Sequence, residues 1–264
     1  MVDTGINMIL MGKGGVGKSF VAAMLAQYLQ DRYGRVYCAD TDPTNATFSK
    51  YKALNVRYVD ILTTDMAIDR SRIDQLVEDI LDHDVPAVID NGASSYIPIM
   101  GYALETSFIS SLKEAGREIR VHAVLIGGQG MNETLLVLEA ILELLPAKVV
   151  VWENEFLGPV AKDGRTFVQS ALYKEYRDKI AGVVRIPQRS PDTFGRDLNR
   201  MTQAALTFAE IRDSKDFLFM TRQRLADVRR DLYAQLDLIF PEPGNSERAD
   251  AFAADEEAKD ERDI

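Results

Sequence analysis

Eight consecutive residues, Gly12-Lys13-Gly14-Gly15-Val16-Gly17-Lys18-Ser19, fit the pattern G-x-x-x-x-G-K-[ST]. In that pattern the backbone N–H groups of a glycine-rich loop wrap phosphate oxygens, a lysine supplies charge and a hydroxyl reaches a metal ion. Here Gly14, Gly15, Val16, Gly17 and Phe20 would contribute backbone, Lys18 its ammonium and Ser19 its hydroxyl. Context supports the match. Ile6, Met8, Ile9, Leu10 and Met11 read as a short buried strand, and Val21, Leu25, Tyr28 and Leu29 recur at helical spacing. A helix that opens directly after the loop aims its positive end at the same place, so the two together form an anion site.

Three carboxylates fall where they could serve that site. Arg35 to Ala39 reads as a second strand whose exit delivers Asp40 and Asp42. Val85 to Asp90 reads as a buried strand ending in an acid, the arrangement in which a carboxylate supports magnesium opposite the loop's hydroxyl. Ser19, Asp40 and Asp90 are therefore candidates for a Mg2+ shell and Asp42 for orienting an attacking water, the plain alternative being that Asp42-Pro43 starts a turn or caps a helix. Gly92, just beyond Asp90, would let the following loop bend towards a terminal phosphate.

For these groups to meet, strands must share one edge. Strands alternating with helices imply an α/β fold, with a mostly parallel, doubly wound sheet, right-handed crossovers and helices on both faces. Ligands of such sheets lie beyond the strands' carboxyl ends, where all three acids arrive. Ile73, Leu76, Val77, Ile80 and Leu81 mark an amphipathic helix; 120–126, 148–152 and 182–186 read as further strands, and 131–145 as a leucine-rich helix. Gly127-Gly128-Gln129-Gly130 has no lysine or hydroxyl and reads as a loop at the ligand rim or a partner face. Residues 44–66 give no clear pattern. Leu225, Val228, Leu232, Leu236 and Ile239 line one face of a last helix that Pro241 and Pro243 stop. The reading is one domain over 1–240 followed by an acidic, disordered tail over 241–264.

The 264 residues suit one α/β domain. Cys38, the single cysteine, cannot form an internal disulfide, and no 18-residue apolar stretch occurs. A soluble, cytoplasmic protein with no membrane insertion is expected. The net charge of −10 is largely local, since residues 245–264 hold eight acids against Arg248, Lys259 and Arg262. Such a balance offers no general footprint for nucleic acid. Arg222, Arg229 and Arg230 share one sector of the last helix, where a solvated face competes with a dock for DNA or an acidic partner.

Lys13-Gly14-Gly15-Val16-Gly17-Lys18-Ser19 resembles the deviant Walker A motif of the P-loop ATPases that include partition, MinD-like and nitrogenase-iron proteins. The segments Asp40 to Thr47, Val88 to Ser95 and Thr221 to Leu225 further resemble the TraL-type nucleotide-binding proteins of plasmid conjugal transfer. The resemblance implies ATP and ADP as ligands, Mg2+ as cofactor and slow hydrolysis. It implies an ATP-dependent homodimer in which Lys13 reaches the partner's nucleotide. It also places Asn154 on the adenine edge and Pro187 in the loop that flanks the base. Conjugal-transfer or relaxosome components are the implied partners; DNA is a further one.

This sequence departs from the wider family at three points. Phe20 replaces a second hydroxyl residue, the loop around Asp42 is one residue shorter than in partition ATPases, and Asp90 precedes Asn91-Gly92 instead of two prolines. These departures bear on hydrolysis more than on binding. Two other functions compete: a partition or positioning ATPase acting on DNA, and an ATP-dependent biosynthetic ligase on the same fold.

Overall fold

The computed structural model describes residues 3–65, 67–162 and 164–240. The proposed acidic tail and the stopping prolines lie outside these residues.

Apolar runs of four to eight residues, flanked by polar turns, form the strands, and longer stretches form the helices. In chain order they are β1 (Ile6–Ile9), α1 (Lys18–Tyr33), β2 (Tyr37–Asp40), β3 (Arg57–Tyr58), α2 (Arg70–Leu81), β4 (Ala87–Asp90), α3 (Tyr96–Thr106), α4 (Phe108–Glu114), β5 (Ile119–Ile126), α5 (Met131–Leu144) and β6 (Lys148–Asn154). A small hairpin follows, β7 (Ala161–Lys162) with β8 (Arg165–Thr166), then α6 (Ala171–Glu175) and β9 (Ile180–Ile186). The described chain closes with α7 (Arg196–Gln203), α8 (Phe208–Asp213) and α9 (Phe219–Ile239).

Seven strands pair in the order β3-β2-β4-β1-β5-β6-β9, every pair parallel. The doubly wound sheet expected from the alternation is therefore present. The unpatterned stretch 44–66 contributes two short 3-10 turns and the edge strand β3. Successive strands extend from β1 to both sides, so the strand order reverses beside its carboxyl end, where such sheets bind ligands.

One face of the sheet is covered by α1, α8 and α9. Phe208 N donates to Gln27 Oε1 at 2.7 Å, and Gly182 leaves room for the Ile239 side chain. Ile6, Met8 and Ile89 of the other face pack against Ile73, Leu76 and Ile80 of α2, Ile99 of α3 and Leu112 of α4. The first face also carries a polar chain. Asn7, His122 and Trp152 step diagonally across β1, β5 and β6, each two residues on from its neighbour's register partner, and all three are fully buried. Trp152 Nε1 donates to His122 Nδ1 at 2.9 Å, which leaves Nε2 to donate to Asn7 Oδ1 at 3.1 Å; Asn7 Nδ2 in turn donates to the Ala87 carbonyl. Burial pushes the His122 imidazole down to about 3, with Arg120 adding to the effect, so the ring is neutral and every polar atom in the chain is satisfied.

Candidate functional site

The glycine loop leaves β1 through buried Leu10 and Met11 and returns into α1. Gly15 and Gly17 sit at φ +73° and +101°, which side chains with a Cβ rarely adopt. Gly12 faces the Tyr96 ring so closely that a Cβ would lie 2.9 Å from it. Val16, with no exposure, pins the loop, while Gly14 and Gly15 face solvent.

The first intrahelical bond of α1 runs from Val21 N to the Gly17 carbonyl, and Gly17 brings no capping side chain. Among the described residues, the N–H groups of Lys18, Ser19 and Phe20 thus have no backbone partner outside the helix, and the positive end of α1 opens onto the loop. Lys18 is 8% exposed and its Nζ donates to the Lys13 carbonyl at 3.0 Å. Burial pulls its pKa below the ordinary lysine range, and Asp90 and Asp42 oppose that shift.

Asp90 is 1% exposed, and neither carboxylate oxygen has a hydrogen-bond partner. Burial pushes its pKa up to about 7; the Ser19 hydroxyl and Lys18 ammonium nearby pull it down, and Asp40 and Asp42 add to the rise. The Ser19 hydroxyl lies close, yet no hydrogen bond closes between them. A buried carboxylate left this way is costly unless something else binds it. A hard cation fits these donors. Among the described residues no three His, Cys, Asp or Glu side chains converge, so such an ion would draw its remaining oxygens from phosphate and water, as Mg2+ does.

The other two acids are arranged differently. Asp40, expected in the Mg2+ shell, is sealed, and both its oxygens are taken by Asp42 N (3.1 Å) and Ser49 N (2.8 Å), so in this structure its carboxylate shapes the loop that carries Asp42 and does not face a cation site. Asp42 is half-buried, and its Oδ1 accepts from Thr44 N and Asn45 N at 2.9 and 3.1 Å. Gly92 stands against it, where a Cβ would lie 2.7 Å from Asp42 Cγ. Two residues that sequence reasoning missed tie these loops together. Thr41 Oγ1 donates to Asn91 Oδ1 at 2.9 Å, and Asn91 Nδ2 donates to the Ile9 carbonyl at 3.1 Å. Their position directly after each strand-end acid was the available signal.

Lys13 forms an ion pair with Glu133, in the first turn of α5. Its stem crosses Gly130, where a Cβ would lie 2.9 Å from Lys13 Cε, so the glycine cluster after β5 seats this lysine. Asn154 Nδ2 donates to the Val16 carbonyl at 2.9 Å while its Oδ1 accepts from Phe156 N, which fixes it against the loop. Pro187 follows the last residue of β9 and is half-buried. The sheet thus brings Lys13, Lys18, Ser19, Asp40, Asp42, Asp90 and Asn154 to one edge. The α9 arginines are drawn into the protein's own contacts: Arg229 pairs with Asp31 and Arg230 with Asp227, and Arg222 donates to the Arg212 and Ser214 carbonyls. No helix of the described residues is long and apolar enough to cross a membrane.

Residues 7–219 match the family model described as CobQ/CobB/MinD/ParA nucleotide binding domain. The chain is similar to two proteins of Escherichia coli named Protein TraL, 42% and 40% identical over 234 residues, which span 88% of this chain and 97% of each relative. Among solved structures it is similar to the MinC:MinD cell division protein complex of Aquifex aeolicus (16% identity, TM-score 0.48, 87% of this chain and 96% of that one). It is also similar to a putative plasmid partition protein of Borrelia burgdorferi bound to AMPPNP (17% identity, TM-score 0.44, 85% and 97%).

Proposed function

The chain belongs to the CobQ/CobB/MinD/ParA nucleotide-binding domain family, in a TraL-type branch, and from that premise we propose that it is a Mg2+-dependent, slowly hydrolysing ATPase whose nucleotide-gated homodimer assists plasmid conjugal DNA transfer. One observation carries the nucleotide reading: a buried Asp90 carboxylate with no partner, beside Lys18 and Ser19, at the uncapped start of α1. The Asp90 carboxylate is costly as it stands, and a metal-bound triphosphate would answer it together with Lys18, Ser19 and the uncapped N–H groups.

The positions support one division of labour. Uncapped N–H groups of α1 and the loop would hold the phosphates, Lys18 would move from the Lys13 carbonyl onto the terminal pair, and Ser19 with Asp90 would hold the cation. When bound, such a cation would supply neutralisation of charge developing on a transferred phosphoryl group. Asp42, whose Oδ2 takes no hydrogen bond from the described residues, orients the attacking water, and Asp40 keeps its loop in shape. Asn154 meets the adenine with the amide that now braces Val16, and Pro187 borders the base. Lys13 completes the site of a second copy. Exposed Ile97, Phe156 and Leu157, at 77%, 73% and 58%, lie on segments that touch the glycine loop or its neighbours and suit such pairing. ATP-bound pairs and ADP-bound monomers would then be the two states that recruit or release transfer components.

Lys18→Ala should lower nucleotide affinity by at least ~100-fold, roughly 3 kcal/mol, by calorimetry; retained micromolar ATP binding would refute the assignment. Light scattering with ADP and with a non-hydrolysable ATP analogue tests the switch. A mass that stays monomeric in both removes it.

A further inference from the structure

Lys13 is the residue on which pairing is proposed to depend, yet in the single chain its ammonium is already taken. Glu133 holds it, and the hold is built from three parts. The carboxylate sits in the first turn of α5, so Lys13 is drawn towards the start of a helix whose own positive end favours an acid there. Gly130 clears the path for the lysine stem, since any side chain at that position would meet Lys13 Cε and Ile126 Cδ1. Gly127 in the same loop presses on the Gly158 and Pro159 carbonyls, which fixes the seat against the segment after β6.

We infer that Glu133 is a latch in cis: it keeps Lys13 on its own subunit and sets how much triphosphate is needed before two copies pair. The inference rests on the reading that Lys13 serves the partner's nucleotide. An ammonium cannot remain centred on Glu133 and also reach across to a neighbour's phosphate, so pairing must break this contact in each subunit. The competition is mild by construction. With the two side chains 29% and 64% exposed, the pair is a partly solvated one, strong enough to hold Lys13 against water and weak enough to yield to a triphosphate carrying several negative charges. An exposed pair of this kind corresponds to about a 1.5- to 5-fold bias per subunit, hence roughly 2- to 25-fold for a dimer that opens two. Among the described residues no other acid pairs with Lys13, so Glu133 is the contact that pairing must displace.

The test is the dimer dissociation constant of the full chain, measured by sedimentation with Mg2+ and a non-hydrolysable ATP analogue, for wild type, Glu133→Gln, Glu133→Asp and Lys13→Ala. Glu133→Gln should pair about 2- to 25-fold more tightly than wild type, with the gap narrowing as salt rises, because the interaction removed is a screened one. Analogue affinity of the monomer should stay within about twofold, and Glu133→Asp should fall between the two. Glu133 is on the surface, so thermal melting will confirm that the fold is kept. Equal or weaker pairing of Glu133→Gln, in a background where Lys13→Ala abolishes pairing, overturns the latch and leaves the trans lysine standing. Pairing of Lys13→Ala at wild-type strength overturns the trans lysine itself, and the latch with it.

Discussion

Two buried titratable groups lie on the same face of the sheet, and the fold treats them in opposite ways. His122, on β5, has both ring nitrogens bonded, to Trp152 and Asn7. Asp90, at the end of β4, has both oxygens unbonded. Equal burial therefore does not mean equal purpose. A satisfied polar chain fixes how β1, β5 and β6 sit together; an unsatisfied carboxylate is free energy kept in reserve for something that arrives later.

Breaking the satisfied member should cost most. His122→Ala leaves Trp152 Nε1 and Asn7 Oδ1 buried without partners and opens a void, a loss of about 3–5 kcal/mol in denaturant unfolding. Breaking the unsatisfied member should do the reverse without nucleotide. Asp90→Asn removes a buried charge and should raise stability by about 1–3 kcal/mol at pH 8, while weakening Mg2+-dependent nucleotide binding. A variant that is both less stable and unaltered in nucleotide binding would erase the contrast. The smallest effect sharpens it through pH. Asp90 is raised to about 7, so its folded form keeps a proton that the unfolded chain sheds near 4; stability falls as pH climbs from about 4 to 7 and is level above. His122 is lowered to about 3, so its contribution is level above about 6.5 and is lost as pH drops towards 3. The stability advantage of Asp90→Asn over wild type should thus grow between pH 4 and 7, whereas the cost of His122→Ala should be level above about 6.5 and shrink as pH drops towards 3.

Much of this was legible beforehand because it is local. The loop glycines, the strand before them and the acid closing β4 are set by short-range backbone needs and short apolar runs. What escaped depends on contacts between distant segments. α3 reads Tyr-Ile-Pro-Ile-Met-Gly, with Pro98 and Gly101 masking a helix; Pro98 is tolerated because it stands in the first turn, where its missing N–H has no partner to lose. β3 is two residues long and exposed, so it carries no apolar signature and exists only because β2 offers it an edge. Glu133 belongs to a helix that was expected, but its pairing with Lys13 spans 120 residues of sequence and depends on Gly130 being bare. Asn154 was expected to contact a base; its present bond to the Val16 carbonyl comes from the close approach of β6 to the loop, which spacing cannot reveal.

The contact between Gly92 and Asp42 reaches beyond those two residues. Gly92 leads within four residues to α3, whose first residue, Tyr96, rests its ring on Gly12 at the mouth of the glycine loop. A line of touching parts therefore runs from Asp42 through a bare backbone at Gly92 and the Tyr96 ring to the glycine loop. Close-packed parts with no slack transmit displacement instead of absorbing it. On the proposed reading, a terminal phosphate lost beside Asp42 would be felt mechanically at Ile97, which is exposed on the same helix.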